Sequence, residues 1–185
     1  MLTIFILLCF AWGFYTGYRR GLALQLVYIV GYIFSFILAM VKYKELGKRL
    51  ELWVPYPSAT EGTKMFFFDE KTTLDLDMAF YAGVAFVLIY FVGVLVVHLL
   101  AIFAHHLQYV PLLKGNHGII WGGALSALSV YFGVFLLLYL LSMVPMTSLQ
   151  NLLGNDPLSR AMIERTPFFS KALGRLWVEN ILNLK

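Results

Sequence analysis

The sequence has one cysteine, few charges and no acidic residue inside any of its long apolar runs. Charged residues are 13% and hydrophobic residues 61% of the 185, against about a quarter and about half in soluble domains. A soluble domain of this length needs a polar face on most of its elements, and uncharged tracts this long exclude that. The lone Cys9 excludes an internal disulfide and a multi-cysteine metal site. Missing intramembrane carboxylates count against a proton- or sodium-coupled transporter, because such carriers commonly hold their coupling ion with these groups. There is no HExxH, no GxSxG, no phosphate loop and no acid pair within a span, so nothing supports an enzyme or calls for a cofactor. The formal charge of +4 is spread over loops and tail rather than along a stripe with interleaved aromatics. Nucleic acid is therefore not expected as a partner, and contact with anionic lipid headgroups accounts for the basic residues more simply.

What is present is a series of runs long enough to cross a bilayer. Residues 2–18 are uncharged, near the short end of a spanning helix. They do not read as a signal peptide, since no basic residue precedes them and no small-x-small pattern follows. Residues 21–41 supply a second span, so the chain must reverse within Tyr18, Arg19, Arg20 and Gly21. Residues 78–104 and 118–144 give the third and fourth, with PLLKGNH between them and Pro145 closing the last. The expected fold class is an all-α integral membrane protein with four transmembrane helices.

Between the second and third spans, residues 42–77 carry six basic and seven acidic residues. They read as an extramembrane loop, with an amphipathic helix over Tyr43–Trp53 lying on the bilayer. Residues 146–185 form an amphipathic C-terminal tail beyond a membrane domain of 1–145. Asp156-Pro157 and Thr166-Pro167 mark the starts of two short tail helices. Phe168, Phe169, Ala172, Leu173, Leu176, Trp177 and Ile181 follow at helical spacing as one apolar stripe. With four spans, eleven Lys and Arg fall on the side of the termini and three on the other. The positive-inside rule then puts both termini in the cytoplasm, although the charge-free N-terminus followed at once by an arginine pair pulls the other way.

Small residues recur every four positions at Gly13, Gly17 and Gly21, and again at Gly118, Gly122 and Ser126. In lipid this spacing lets helix backbones approach closely, within one bundle or between protomers of a homo-oligomer. A glycine-lined solute path is the other reading. Arg19 and Arg20 read as interface anchors, and Trp12, Tyr15, Tyr18 and Tyr109 as an aromatic belt. His98, His105 and His106 fall near one helical face, with His117 in reach from the next loop. A metal or proton-relay role is weighed against the lack of any acidic partner, which leaves His98 the one ionisable candidate within a span.

The short first span, GYRRG leading straight into the second, GNHGIIWGGALSALS opening the last, and SMVPM followed by TPFFS together resemble the colicin V production protein family. The resemblance covers the whole four-span region. It implies a multi-pass plasma (inner) membrane protein linked to production or export of a toxin peptide (a bacteriocin) and to envelope stress, with secretion or envelope proteins as partners. Gly17, Arg19, Gly21, Gly118 and Gly122 carry over as matched positions. Members often have an acidic residue where Thr3 stands and a basic one within the last glycine-rich motif, so no role is carried over for those charges.

Overall fold

A computed structural model describes residues 1–57, 65–68, 76–110, 117–179 and 181, the side chain of residue 179 excepted. The connector 111–116, the middle of the 42–77 loop and the last four residues lie outside the described set. All regular structure among the described residues is helical. The main helices are α1 (Leu2–Leu50), α2 (Leu76–Leu100), α3 (His117–Ser142), α4 (Thr147–Asn155), α5 (Pro157–Arg165) and α6 (Phe169–Leu173). A 3-10 turn, His105–Tyr109, follows α2, and a π-helical turn, Gly174–Glu179, follows α6.

Among the described residues, three helices rather than four are long and apolar enough to cross a membrane: α1, α2 and α3. The separate spans expected at 2–18 and 21–41 lie in one 49-residue element, interrupted only at Gly21, whose φ of 74° and ψ of 171° are not helical. That element would measure about 74 Å if straight, more than twice a hydrocarbon core of about 30 Å. It is not straight. Phe10 packs on Tyr131 and Phe36 on Phe132, adjacent residues of α3, whereas an unbroken helix would hold positions 10 and 36 about 39 Å apart. The chain doubles back at Gly21.

The third expected span is also displaced. Helix α2 begins before residue 78 and ends at Leu100, and Ala101–Ala104 form turns. The helix expected on the bilayer at 43–53 is instead the last part of α1, running to Leu50. Its apolar face is docked, with Tyr43 buried and a Cβ on Gly47 falling 3.2 Å from Ala82 Cα.

The chain divides into two compact units. One comprises Ile4–Met40 and Leu88–Val134, and holds both arms of the reversal at Gly21. The other comprises Met1–Thr3, Val41–Val87 and Phe135–Lys185, so the tail groups with the end of α1 and parts of α2 and α3 rather than standing apart. In this second unit Trp177 is fully buried, with its ring 5.4 Å from Phe86 and 5.7 Å from Tyr139. The Tyr43 hydroxyl donates to the Leu176 carbonyl at 3.1 Å.

In the tail, Asp156 caps α5 as expected, accepting from the Ser159 amide, with Pro157 in the first turn. Thr166 instead ends that helix, and α4 was not foreseen. The expected stripe over 168–181 is split: Leu173 and Trp177 are buried while Phe168 is 88% exposed. A turn at Phe168 and the wider π-helical turn change the angular phase along the segment, so one helical period cannot describe it.

Candidate functional site at the helix reversal

The small residues, the arginine pair and His98 singled out in sequence lie in the unit of Ile4–Met40 and Leu88–Val134. At its centre the first arm of α1 crosses α3 at small residues. A Cβ on Gly17 would collide with the Ser126 side chain and the Gly122 carbonyl. A Cβ on Gly122 would lie 2.8 Å from the Gly21 carbonyl carbon and 2.9 Å from the Gly17 oxygen. A Cβ on Gly13 would lie 2.6 Å from Val130 Cγ2. Backbone meets backbone here, which is what small residues allow in lipid, where apolar burial gives helices little reason to associate. Ser126 is buried at the same crossing, and Gly118 is half-buried in the first turn of α3. At Gly13, Gly17 and Gly122 the space is thus filled from within the chain.

The second arm of α1 packs on α2 with the same device. A Cβ on Gly31 would sit 2.6 Å from both methyls of Val97, and one on Gly93 would sit 2.5 Å from Ser35 Oγ. The buried Ser35 hydroxyl is satisfied within its own helix, donating to the Gly31 carbonyl at 2.9 Å.

The arginine pair divides. Arg19 is exposed, with Nη1 3.5 Å from the Tyr15 hydroxyl. Arg20 turns inward, its guanidinium carbon 4.3 Å from the centre of the Tyr28 ring, a geometry in which the ring's negative face attracts the cation. His98 packs against the same tyrosine and against Tyr32. Its ring centre lies 4.9 Å from Tyr28 and 5.9 Å from Tyr32, stacked on the latter. His98 Nδ1 is 2.9 Å from the Val94 carbonyl, which can only accept, so Nδ1 carries a hydrogen. In the neutral ring Nε2 is then an acceptor, 3.5 Å from the Tyr32 hydroxyl, the outer limit of a hydrogen bond.

Arg20, Tyr28, Tyr32 and His98 form one polar and aromatic group that shares Tyr28 with the apolar cluster of Leu24, Tyr28 and Ala101. The other histidines do not join it. His105 pairs with Gln108 at 2.7 Å, His106 and His117 are exposed, and no three metal-ligating side chains gather among the described residues.

Sequence reasoning missed Tyr28, Tyr32 and Gln25. The two tyrosines stand four residues apart, a spacing that puts them on one face, but an apolar run does not say which face meets another helix. Gln25 is 1% exposed and its Oε1 has no hydrogen-bond partner among the described residues. It is the single amide in the 21–41 run, and that rarity was the available signal. Trp12, Tyr15, Tyr18 and Tyr109 are all exposed.

Comparison with known proteins places this arrangement. The profile of the colicin V production protein family matches residues 2–167. The chain is 30% identical over 179 residues to the uncharacterized transmembrane protein YshB of Bacillus subtilis (strain 168), covering 97% of this chain and 98% of that one. No solved structure matches it. The match takes in the reversal, the glycine crossing and most of the tail, and the chain is a membrane protein belonging to the colicin V production protein family.

Proposed function

We propose that this protein is a non-enzymatic accessory protein of the plasma (inner) membrane that supports production or export of a bacteriocin-like peptide and envelope homeostasis. In this reading α1 crosses the bilayer twice, with its reversal at Gly21, so that with α2 and α3 the chain makes four crossings and both termini face the cytoplasm. The observation that carries the reading is the closed glycine crossing: side chains and backbone of the same chain occupy the space a Cβ would take at Gly13, Gly17 and Gly122. Self-association then uses surfaces outside that crossing, and secretion or envelope proteins are the partners.

The test is secretion of a colicin V-type peptide by cells with and without the gene, scored as peptide inside and outside the cell. Loss of external peptide on deletion, restored by the wild-type chain but not by Gly122→Leu, supports the accessory role. Unchanged secretion refutes it.

A second reading, a small channel or transporter lined by the glycine-rich last span, draws on the buried amide of Gln25 and the half-buried imidazole of His98 within the apolar segments. It requires the crossing to open. Ion or small-solute flux through liposomes that depends on the protein and falls in His98→Ala would favour it over the accessory role.

A further inference from the structure

We propose that the tail carries a binding site for the phosphate of an anionic phospholipid headgroup, with Phe168 as its anchor in the acyl region. The inference does not depend on the toxin-export reading.

The site is a cavity of about 580 Å³ at the junction of α5 and α6, and Arg165, Lys171 and Arg175 line it. All three are exposed, and none forms an ion pair among the described residues. Glu164, the acidic residue in the lining, is engaged by Arg160 at 2.9 Å. Three cations around one concavity, unpaired among the described residues, favour a multiply accepting anion, as a phosphate ester is. The Ser170 hydroxyl, also in the lining, is buried with no hydrogen-bond partner among the described residues and adds a donor.

The second observation is backbone strain at the rim. Phe168 has φ 63° and ψ −44°, and the Phe169 amide donates to the Pro167 carbonyl at 2.7 Å. That closes a γ-turn of the rare, strained hand around a bulky residue. Strain of this kind persists only where something compensates it. The side chain is 88% exposed, so little packing among the described residues offsets the strain. An aromatic held outward beside a cationic cavity suits a lipid interface, where the ring enters the acyl boundary and the cations meet headgroups.

The third observation fixes where the tail lies. Both the Thr3 amide and its hydroxyl donate to Asp156 Oδ1, at 3.0 and 2.5 Å. Thr3 is in the first turn of α1, where the apolar run begins. The start of α5 is therefore tied to the headgroup end of that run.

The full-length protein in neutral detergent would be titrated with dihexanoyl phosphatidylglycerol, dihexanoyl phosphatidylcholine and glycerol 3-phosphate, with binding read from thermal stabilisation. The phosphatidylglycerol should stabilise and the phosphatidylcholine should not. Removing all three cations (Arg165→Gln, Lys171→Gln and Arg175→Gln) should weaken the apparent affinity about a hundredfold, near fivefold per cation. Phe168→Gly relaxes the turn, so the lipid-free protein should be at least as stable as wild type, yet its lipid affinity should fall about tenfold. Lys42→Gln with Lys44→Gln, outside the cavity, should change nothing. Equal response to both lipids, an unaffected triple variant, or a loss in the Lys42 and Lys44 variant as large as in the triple overturns the site. Glycerol 3-phosphate binding as tightly as the lipid, with Phe168→Gly silent, overturns the lipid assignment in favour of a soluble phosphate ester.

Discussion

Replacing Gly21 by alanine tests the reversal of α1 with little else changed. Gly21 holds φ 74° and ψ 171°, a region that in practice only glycine occupies and that costs other residues about 1–3 kcal/mol. Crowding adds nothing, because the nearest atom to a Cβ there is the Gln108 carbonyl oxygen at 3.6 Å, an ordinary contact. The backbone therefore supplies the whole cost, and alanine also favours the continuous helix that competes with the turn. Gly133 is the matched control. It lies inside α3, where a Cβ would be 3.7 Å from Phe91 Cζ, so alanine fits and should stabilise by about 0.5–1 kcal/mol. At roughly 3 °C per kcal/mol for a chain of this size, Gly21→Ala should lower the melting temperature by about 3–9 °C and Gly133→Ala raise it by about 1–3 °C. The assay is thermal unfolding in neutral detergent, followed by near-ultraviolet circular dichroism because the helices themselves survive in micelles. Equal melting of Gly21→Ala and wild type, or equal losses for both variants, would refute the view that positive φ at this glycine makes the turn.

Gly122→Ala should cost about 1–3 kcal/mol by overpacking, since its Cβ would press on the backbone of Gly21 and Gly17; a melting temperature near wild type would show that the crossing is looser. Trp177→Ala should cost about 3–5 kcal/mol from the cavity it opens among Phe86, Tyr139 and Gly83, measurable as loss of near-ultraviolet signal and of detergent-resistant folding. Burial tends to raise the Asp156 carboxyl, but hydrogen bonds from Thr3 and Ser159 outweigh it and hold the group below its ordinary value. A depressed folded value means that the stabilisation is full above the unfolded value of about 4 and is lost as pH falls through the folded one. Hydrogen exchange over 147–165, corrected for intrinsic rate, should therefore accelerate below about pH 4 in wild type. In Asp156→Asn it should be fast at both pH values, and a wild type that exchanges equally at pH 7 and pH 3 would refute the tie.

The long apolar helices were legible because residue count and charge are one-dimensional properties. A run of uncharged residues at 1.5 Å rise each either reaches across a hydrocarbon core or does not. GYRRG was readable as a reversal for the same reason, since no loop length remained between two runs that each need a span. The sequence could not show that Gly21 makes that turn inside one helical element, because the cue is a dihedral angle and the small-residue pattern alone suits a helix–helix contact equally well.

By itself, then, the amino-acid order determined the solvent, the helical class, the approximate limits of the apolar segments and the family. Tertiary structure decided which faces meet. It turned Arg20 inward onto Tyr28 while leaving Arg19 exposed, separated His98 from His105, and carried α1 on to Leu50 where a surface helix was expected. It also set Phe168 apart from Leu173 and Trp177. In an apolar segment nearly every face is hydrophobic, so periodicity carries little information about orientation. Orientation is set by where backbones can approach, and that depends on residues far apart in the chain, such as Gly17 and Gly122 or Thr3 and Asp156.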